Sequence, residues 1–495
     1  MQKTVIAGIN FKIPNTPVCA VFYFLLTSGG IFYLFRNWAY DDPFITYRYA
    51  QNIANGLGFV YNPGERVLST TTPLFTLLLA ALSPLWNNLP RLANLIGAMS
   101  IALGALLIYW LADILHEPLV GWAGLLLYPT SPILLSCLGS ETPLYIAFCL
   151  ACFVFYWRSN YTLTAIFCAL AVLTRPDGIL VPVLLAADFI IRIRRPIPWK
   201  SVMIFSLLAL PWFIFSWLYF GSPIPATLAA KQHQGLMAIS QRFAAGFLTL
   251  IKTYYLSWYY EIQAGIAGLG IIYIIPQSRR WVSFIAWPIV YFITFILLGM
   301  TRYFWYYAPL LPGFVVLVGL GLVGLDWIIR RLLDKVHNPG TLISSIPRLV
   351  IIILLVIPGI FQIIHIKTIV ENRDPRYTIY RAVGKWLHAN TLPDASIGTL
   401  EVGMIGYYAK RPMIDFAGLI QPEIAARLEY HTTYADSANY AVMRFQPDYL
   451  VLPEGSFPDL ESGYAAQNCQ VVQRFQGASY NYALNMVVYS CSKAQ

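Results

Sequence analysis

Two adjacent carboxylates, Asp41 and Asp42, stand at the head of the segment DDPFITYRYAQNIANGLGFVYNPGERV. Neighbouring acids repel, so holding them together beside apolar sequence calls for a compensating cation, a metal ion or a reacting hydroxyl. Asp42 followed by Pro43 reads as a helix start, because aspartate caps free backbone amides and proline suits the first helical position. Ile45, Tyr49 and Ile53 recur every four residues, which predicts an amphipathic helix lying along a membrane surface. Asn55-Gly56 ends that helix, and Tyr61-Asn62-Pro63-Gly64 sets proline and glycine at the positions of a type II turn. Asp41 is left without a structural task; the plain alternative is a solvated loop acid.

Other unusual polar groups fall between apolar runs. Gly139-Ser140-Glu141-Thr142-Pro143 opens one run, and Leu173-Thr174-Arg175-Pro176-Asp177-Gly178 joins two more. Phe220-Gly221-Ser222-Pro223-Ile224-Pro225-Ala226-Thr227 leads to Lys231, and Thr301-Arg302-Tyr303 precedes an aromatic run that ends at Pro309. Each has a structural alternative: Thr142 and Pro143 can cap a helix, Arg175 and Asp177 can pair with each other, and Lys231 or Arg302 can reach to lipid headgroups. Taken together, acids and cations converging on one face fit a pocket for an anionic, lipid-linked substrate.

The elements that must position these residues are apolar. Of 495 residues 58% are hydrophobic and 11% charged, less than half the usual charged share, which excludes a cytosolic globular enzyme. A helix needs about 20 residues to cross the hydrocarbon core. About eleven stretches are read as spans, near 18–36, 92–112, 118–136, 143–157, 161–174, 178–193, 201–220, 258–276, 281–300, 308–330 and 347–365. Residues 1–365 carry 22 Lys/Arg against 11 Asp/Glu, whereas 366–495 carry 11 against 12. With Lys3 and Lys12 cytoplasmic, alternation puts Arg158, Arg192, Arg194, Arg195, Lys200, Arg279, Arg280, Arg330, Arg331, Lys335 and Arg348 on the same side. The first outer loop, 37–90, and residues 366–495 then lie outside a plasma membrane. The net charge of +10 sits in short clusters between apolar runs, so no nucleic-acid partner is expected.

The tail, 366–495, is expected to form a separate extracytoplasmic α/β domain. Ala395–Thr399, Pro412–Asp415, Asp448–Leu452 and Leu484–Ser490 read as strands, and Tyr377–His388 and Pro422–Glu429 as helices. It shows no Gly-rich phosphate loop or nucleophile elbow, so its expected task is acceptor contact, partner contact or support. Cys469 and Cys491, the two cysteines of the tail, can pair in an oxidising compartment. Cys149 and Cys152 form a CxxC inside an apolar helix and are read as buried small hydrophobes.

The tandem acid, placed after a first span and before an interfacial helix, resembles the integral-membrane glycosyltransferases of the GT-C type, which use polyprenyl-phosphate sugars. DDPFITYRYAQNIANGLGFVYNPGERV, GSETPLY, LTRPDG, FGSPIPATLAAK and IGYYAKRPMIDFAGLIQPE are similar to motifs of bacterial terminal arabinofuranosyltransferases. The chain departs from that pattern at Pro43, at Leu68-Ser69-Thr70 and at Ala226, which bears on the sugar rather than the class. The resemblance implies a polytopic GT-C-like membrane domain over 1–365 and inverting transfer from a polyprenyl-phosphate donor to a glycan, lipid or protein hydroxyl. It implies Asp41 as general base, with Asp42 capping the helix and orienting it. Lys231, Arg302 and Arg175, in that order, would face the departing phosphate; Glu141 and Asp177 would position the acceptor, and Arg48 completes the substrate-binding set. A divalent metal on Asp41, Asp42 and Glu141 is an option that some members of the class use. The competing readings are a lipid or sugar transporter or flippase, against which no internal repeat is visible, and a non-catalytic membrane scaffold.

Overall fold

The computed structural model describes residues 17–277, 279–334 and 341–492. Lys3, Lys12 and Lys335, used above to orient the chain, lie outside the described residues. Many helix starts follow directly from proline: Pro17, Pro43, Pro73, Pro118 and Pro132 each stand first in a helix, where an amide would have had no intrahelical acceptor.

Among the described residues, six helical segments are long and apolar enough to cross a membrane: Pro17–Phe35, Leu89–Leu115, Trp199–Phe220, Arg279–Leu297, Phe304–Leu333 and Ser345–Asn390. Shorter apolar helices, Pro73–Leu82, Pro118–Leu127, Thr142–Trp157 and Tyr161–Thr174, pack among them. About eleven spans were expected; among the described residues six helices meet that length and hydropathy, and the remaining stretches form shorter or less apolar helices. Each expected stretch is helical in whole or part, but 118–136 breaks before a short Pro132–Ser136 helix, and 178–193 is divided between the Leu180–Asp188 helix and flanking turns of tighter and wider pitch. Val18, Phe22, Leu25 and Leu26 on the first helix and Leu207, Trp217 and Leu218 on Trp199–Phe220 are exposed, which suits lipid and not water. Two glycines let the Trp258–Gln277 and Leu311–Leu333 helices touch at their backbones. A methyl at Gly270 would strike the backbone of Leu317, and one at Gly321 that of Ile266.

The tail carries a five-stranded sheet in the order β2-β1-β3-β5-β4, with β1 Ile397–Thr399, β2 Met413–Asp415, β3 Tyr449–Pro453, β4 Cys469–Phe475 and β5 Met486–Cys491. Strand β1 runs parallel to both neighbours, with Ile397 opposite Met413 and Tyr449, while β3, β5 and β4 are antiparallel. The four expected strands are present. Strand β4 escaped the sequence reading because CQVVQRF is largely exposed and has no clean alternation of apolar residues. Cys469 and Cys491 face each other across β4 and β5 and are bonded.

The tail does not stand apart from the loop expected over 37–90. Phe44, Tyr47, Tyr49, Phe59 and Tyr61 share one core with Ile379, Val402, Ile405, Met413 and Val488. The Thr341–Glu371 helix runs through position 365 without a break. Asn62 ties the two parts by polar bonds: its Nδ2 donates to the Met413 carbonyl at 2.9 Å and its Oδ1 accepts the Met413 amide at 2.9 Å, as a strand residue would. The Pro43–Ala54 helix is consequently enclosed on most sides, with Phe44, Ile45, Tyr47, Arg48, Tyr49, Ala50 and Asn52 all buried. This corrects the expectation of a helix resting on the membrane surface. Its end and the turn after it are as expected: Gly56 has φ +75° and Gly64 φ +88°, and the Glu65 amide donates to the Asn62 carbonyl at 3.1 Å.

Candidate functional site

Asp41 and Asp42 point to different partners. Asp41 reaches the start of the Val402–Ala409 helix in the tail, where its Oδ2 accepts the Gly403 amide at 3.0 Å and its Oδ1 the Met404 amide at 2.7 Å. Gly403 has to be glycine here, since a methyl would collide with the Asp41 carboxylate and carbonyl. The acid expected to lack a structural task thus caps a helix more than three hundred residues away in the chain. Burial, then the nearby Glu401, push its carboxyl well above the usual range, and the Met404 amide works the other way. Glu401 is itself raised by burial, opposed by Arg376, whose Nη1 lies 3.3 Å from Glu401 and whose Nη2 lies 2.7 Å from Asp374.

Asp42 was expected to cap the Pro43–Ala54 helix, and it does not. Its backbone is already helical and its side chain makes no cap bond. The carboxylate turns instead to Lys231, with Nζ 3.4 Å from Oδ2. Lys231 projects from the Ala226–Leu236 helix, which begins after Pro225, and its ammonium lies 4.7, 5.3 and 5.5 Å from the ring centres of Tyr303, Trp305 and Tyr306. Those rings form the aromatic run noted in the sequence without a role; it is a cation-binding wall. Burial disfavours the ammonium, yet Asp42 and Tyr306 hold its pKa above that of an ordinary lysine. The Lys231 side chain is 10% exposed and that of Asp42 is 32%, so the acid is the partner open to a ligand.

Glu141, Arg175 and Asp177 form a triad around a buried guanidinium, with both acids only slightly exposed. Arg175 Nη1 lies 3.2 Å from Glu141 and Nη2 2.9 Å from Asp177, and Nη1 also donates to the Thr142 hydroxyl at 3.2 Å. The structural alternative for Arg175 and Asp177 is thus realised, with Glu141 added. Burial raises the Glu141 carboxyl above the ordinary range and Arg175 opposes it. Arg302 stands apart from the triad; its Nη1 donates to Gln241 at 2.8 Å. Arg48 is buried among the residues that join the 37–90 loop to the tail, 3% exposed, and is not brought to the acids. Its Nη1 reaches Gln51 at 3.5 Å. The optional metal set of Asp41, Asp42 and Glu141 is not grouped: among the described residues no three His, Cys, Asp or Glu side chains are placed to hold an ion. Asp41 is occupied by two amides and Glu141 by Arg175.

Three cavities meet at Asp42. One of 970 Å³ is walled by both the membrane bundle and the tail, including Asp41, Asp42, Arg302, Arg376, Glu401 and Tyr434. A second, 350 Å³, is mostly apolar and reaches Lys231, Arg175 and Asp177 past Val172, Leu180 and Phe295. The third, 40 Å³, lies among Asp42, Glu141 and Lys231. Asp42 and Trp305 line all three. Glu401, Arg376 and Tyr434 were invisible to sequence reasoning, because only folding carries the tail over the membrane bundle.

The architecture is a polytopic α-helical membrane bundle with a C-terminal domain built on a sheet, and it recurs in solved structures. Three solved structures share it: ArnT from Cupriavidus metallidurans bound to undecaprenyl phosphate, at a TM-score of 0.65 and 14% identity over 97% of this chain and 99% of that one; the Archaeoglobus fulgidus oligosaccharyltransferase, at 0.53 and 14% over 92% and 70%; and arabinofuranosyltransferase AftD from Mycobacteria, at 0.55 and 14% over 95% and 40%. Identity at this level speaks to the fold alone. A family described as a domain of unknown function (DUF8728) matches residues 365–489, which is the tail. No curated protein matches the chain.

Proposed function

We propose that the chain is a membrane glycosyltransferase that moves a sugar, with inversion, from a polyprenyl-phosphate carrier to an acceptor hydroxyl at the outer face of the plasma membrane. The observation that carries this reading is the position of Asp42 in the wall of all three cavities, with Lys231 beside it. The fold likeness to ArnT, solved with undecaprenyl phosphate, supports a lipid-phosphate donor. The bonded Cys469 and Cys491 support an oxidising, outward location for the tail.

In this reading the carrier tail occupies the apolar cavity and its phosphate meets Lys231. A lysine ammonium has three donors, so one can serve Asp42 while the others meet phosphate oxygens. The acceptor enters the large cavity under the tail. Its oxygen attacks the anomeric carbon, the bond from that carbon to the phosphate oxygen breaks, and the acceptor proton passes to a carboxylate. The leaving group is already an acidic phosphate and needs no general acid, unlike the leaving group of a glycosidase. Motif position assigned the base to Asp41; the geometry favours Asp42, because both oxygens of Asp41 are engaged by helix amides and Asp42 is the more open to ligand. Asp41 then acts as a brace that fixes the tail against the reacting carboxylate. Arg302, in the large cavity, is a second cation toward substrate, and Arg175 is spent on its two acids.

The test is transfer from a synthetic polyprenyl-phosphate sugar by the full chain in proteoliposomes. Transfer by wild type that Asp42→Asn abolishes supports the proposal; lipid translocation without any transfer would favour a transporter.

A further inference from the structure

The 40 Å³ recess is too small for a sugar ring and too polar to be left empty. Asp42, Glu141 and Lys231 share its wall with Thr70, Thr71 and Thr227. Some of the hydroxyls are fixed by one another: Thr46, Thr70 and Thr72 lie within 3.1 to 3.3 Å of each other through their oxygens. Thr227 and Ser69 are different: each is 4% exposed, both line the recess, and neither hydroxyl oxygen has a hydrogen-bond partner within the protein. Of the two, Thr227 also borders the apolar cavity. A buried hydroxyl without a partner is costly, and at the wall of a cavity it points to a ligand that supplies one.

Size and position limit that ligand. A water-sized group needs about 10–15 Å³ on this measure, so the recess holds roughly three non-hydrogen atoms. It shares Thr70, Thr71, Thr227 and Lys231 with the apolar cavity, and Asp42 with all three. A sugar whose phosphate rests on Lys231 therefore has the recess within reach of one ring substituent. The wall contributes carboxylate acceptors and hydroxyls that both donate and accept. An alcohol arm satisfies both kinds of group, whereas a carboxylate arm would face Asp42 and Glu141 at close range.

We propose that this recess reads the transferred sugar, admitting a neutral hydroxymethyl arm, with Thr227 and Glu141 as the residues that determine specificity. The proposal rests on the glycosyltransferase reading and adds the substituent that the donor must carry.

The experiment uses the full chain in proteoliposomes with synthetic polyprenyl-phosphate sugars, each sugar offered with its hydroxymethyl group, without it, and oxidised to the uronate. Wild type should prefer the hydroxymethyl donor over its shortened analogue by at least about tenfold in kcat/KM and reject the uronate, since a site built around a hydroxyl discriminates strongly against its loss. Thr227→Val should collapse the preference to within about threefold, and Thr227→Ser, which keeps the hydroxyl, should restore it. Transfer with an unaltered preference in Thr227→Val, or a wild type indifferent to the arm, overturns this proposal and leaves the enzyme reading standing. No transfer from any donor overturns both.

Discussion

The carboxylate of Asp41 accepts the amide of Met404 at 2.7 Å across a separation of 363 residues. With the Gly403 amide at 3.0 Å on the other oxygen, this bond fastens the 37–90 loop to the start of a tail helix. The acid beside it, Asp42, is thereby left to face Lys231 and the cavities. One tandem acid therefore serves two ends: the first oxygen pair holds the lid of the chamber, and the second is exposed inside it.

Exchanging the two acids should separate these roles. Asp42→Asn is expected to lower transfer by about 10²–10⁴-fold, and because it takes the carboxylate from the buried Lys231 ammonium it should lower stability as well. Asp41→Asn presents an NH₂ group to helix amides and should cost about 1–3 kcal/mol of stability, with a smaller loss of rate. Transfer assays paired with calorimetry on both variants decide the matter. Loss of rate confined to Asp41→Asn would return the base to the position that the motif suggested.

Lys231→Met should raise the donor KM by about tenfold or more, equivalent to about 1.4 kcal/mol, with little change in the acceptor KM. The expected split arises because the ammonium lines the apolar and small cavities and is absent from the wall of the large one. Steady-state kinetics with each substrate varied in turn reads it directly.

Removing the buried cation of the triad leaves two acids uncompensated. The side chains of Glu141 and Asp177 are 13% and 12% exposed, so Arg175→Met should cost about 3–5 kcal/mol and reduce the yield of folded protein. The triple variant Arg175→Met, Glu141→Gln, Asp177→Asn should recover much of that loss, as measured by thermal unfolding in detergent.

Asp415 supplies a pH signature in the tail. It is fully buried, and burial pushes its carboxyl up to about 7, although the amides of Ala417, Ile420 and Leu419 oppose the shift. A carboxyl raised on folding gives stability that is complete below its unfolded pKa and is lost as pH rises through the folded value. Tail stability should accordingly fall between about pH 4 and 7, and Asp415→Asn should flatten that slope. Unfolding followed at a series of pH values measures the difference, and an equal slope in both proteins would show that Asp415 does not titrate there.

Much of this protein follows from local rules. The apolar runs, the proline-led helix starts, the Asn62 turn and four strands of the tail depend on short-range pattern and backbone sterics, which neighbouring residues carry wherever the chain goes. Arg175, Asp177, Lys231 and the two aspartates were singled out because charge in apolar sequence is expensive. Their pairing was a different matter. That Lys231 would meet Asp42, that Glu141 would join Arg175, and that Arg48 would be buried away from all of them depends on contacts across tens to hundreds of residues, and a charge in a sequence does not name its partner. The tail shows the same division: its strands were legible, while its place over the membrane bundle, and the chamber made there by Glu401, Arg376 and Tyr434, arose only when the 37–90 loop and the tail buried one shared core. Short-range sterics and hydropathy decide the elements; the packing of distant apolar faces decides which polar groups they bring together.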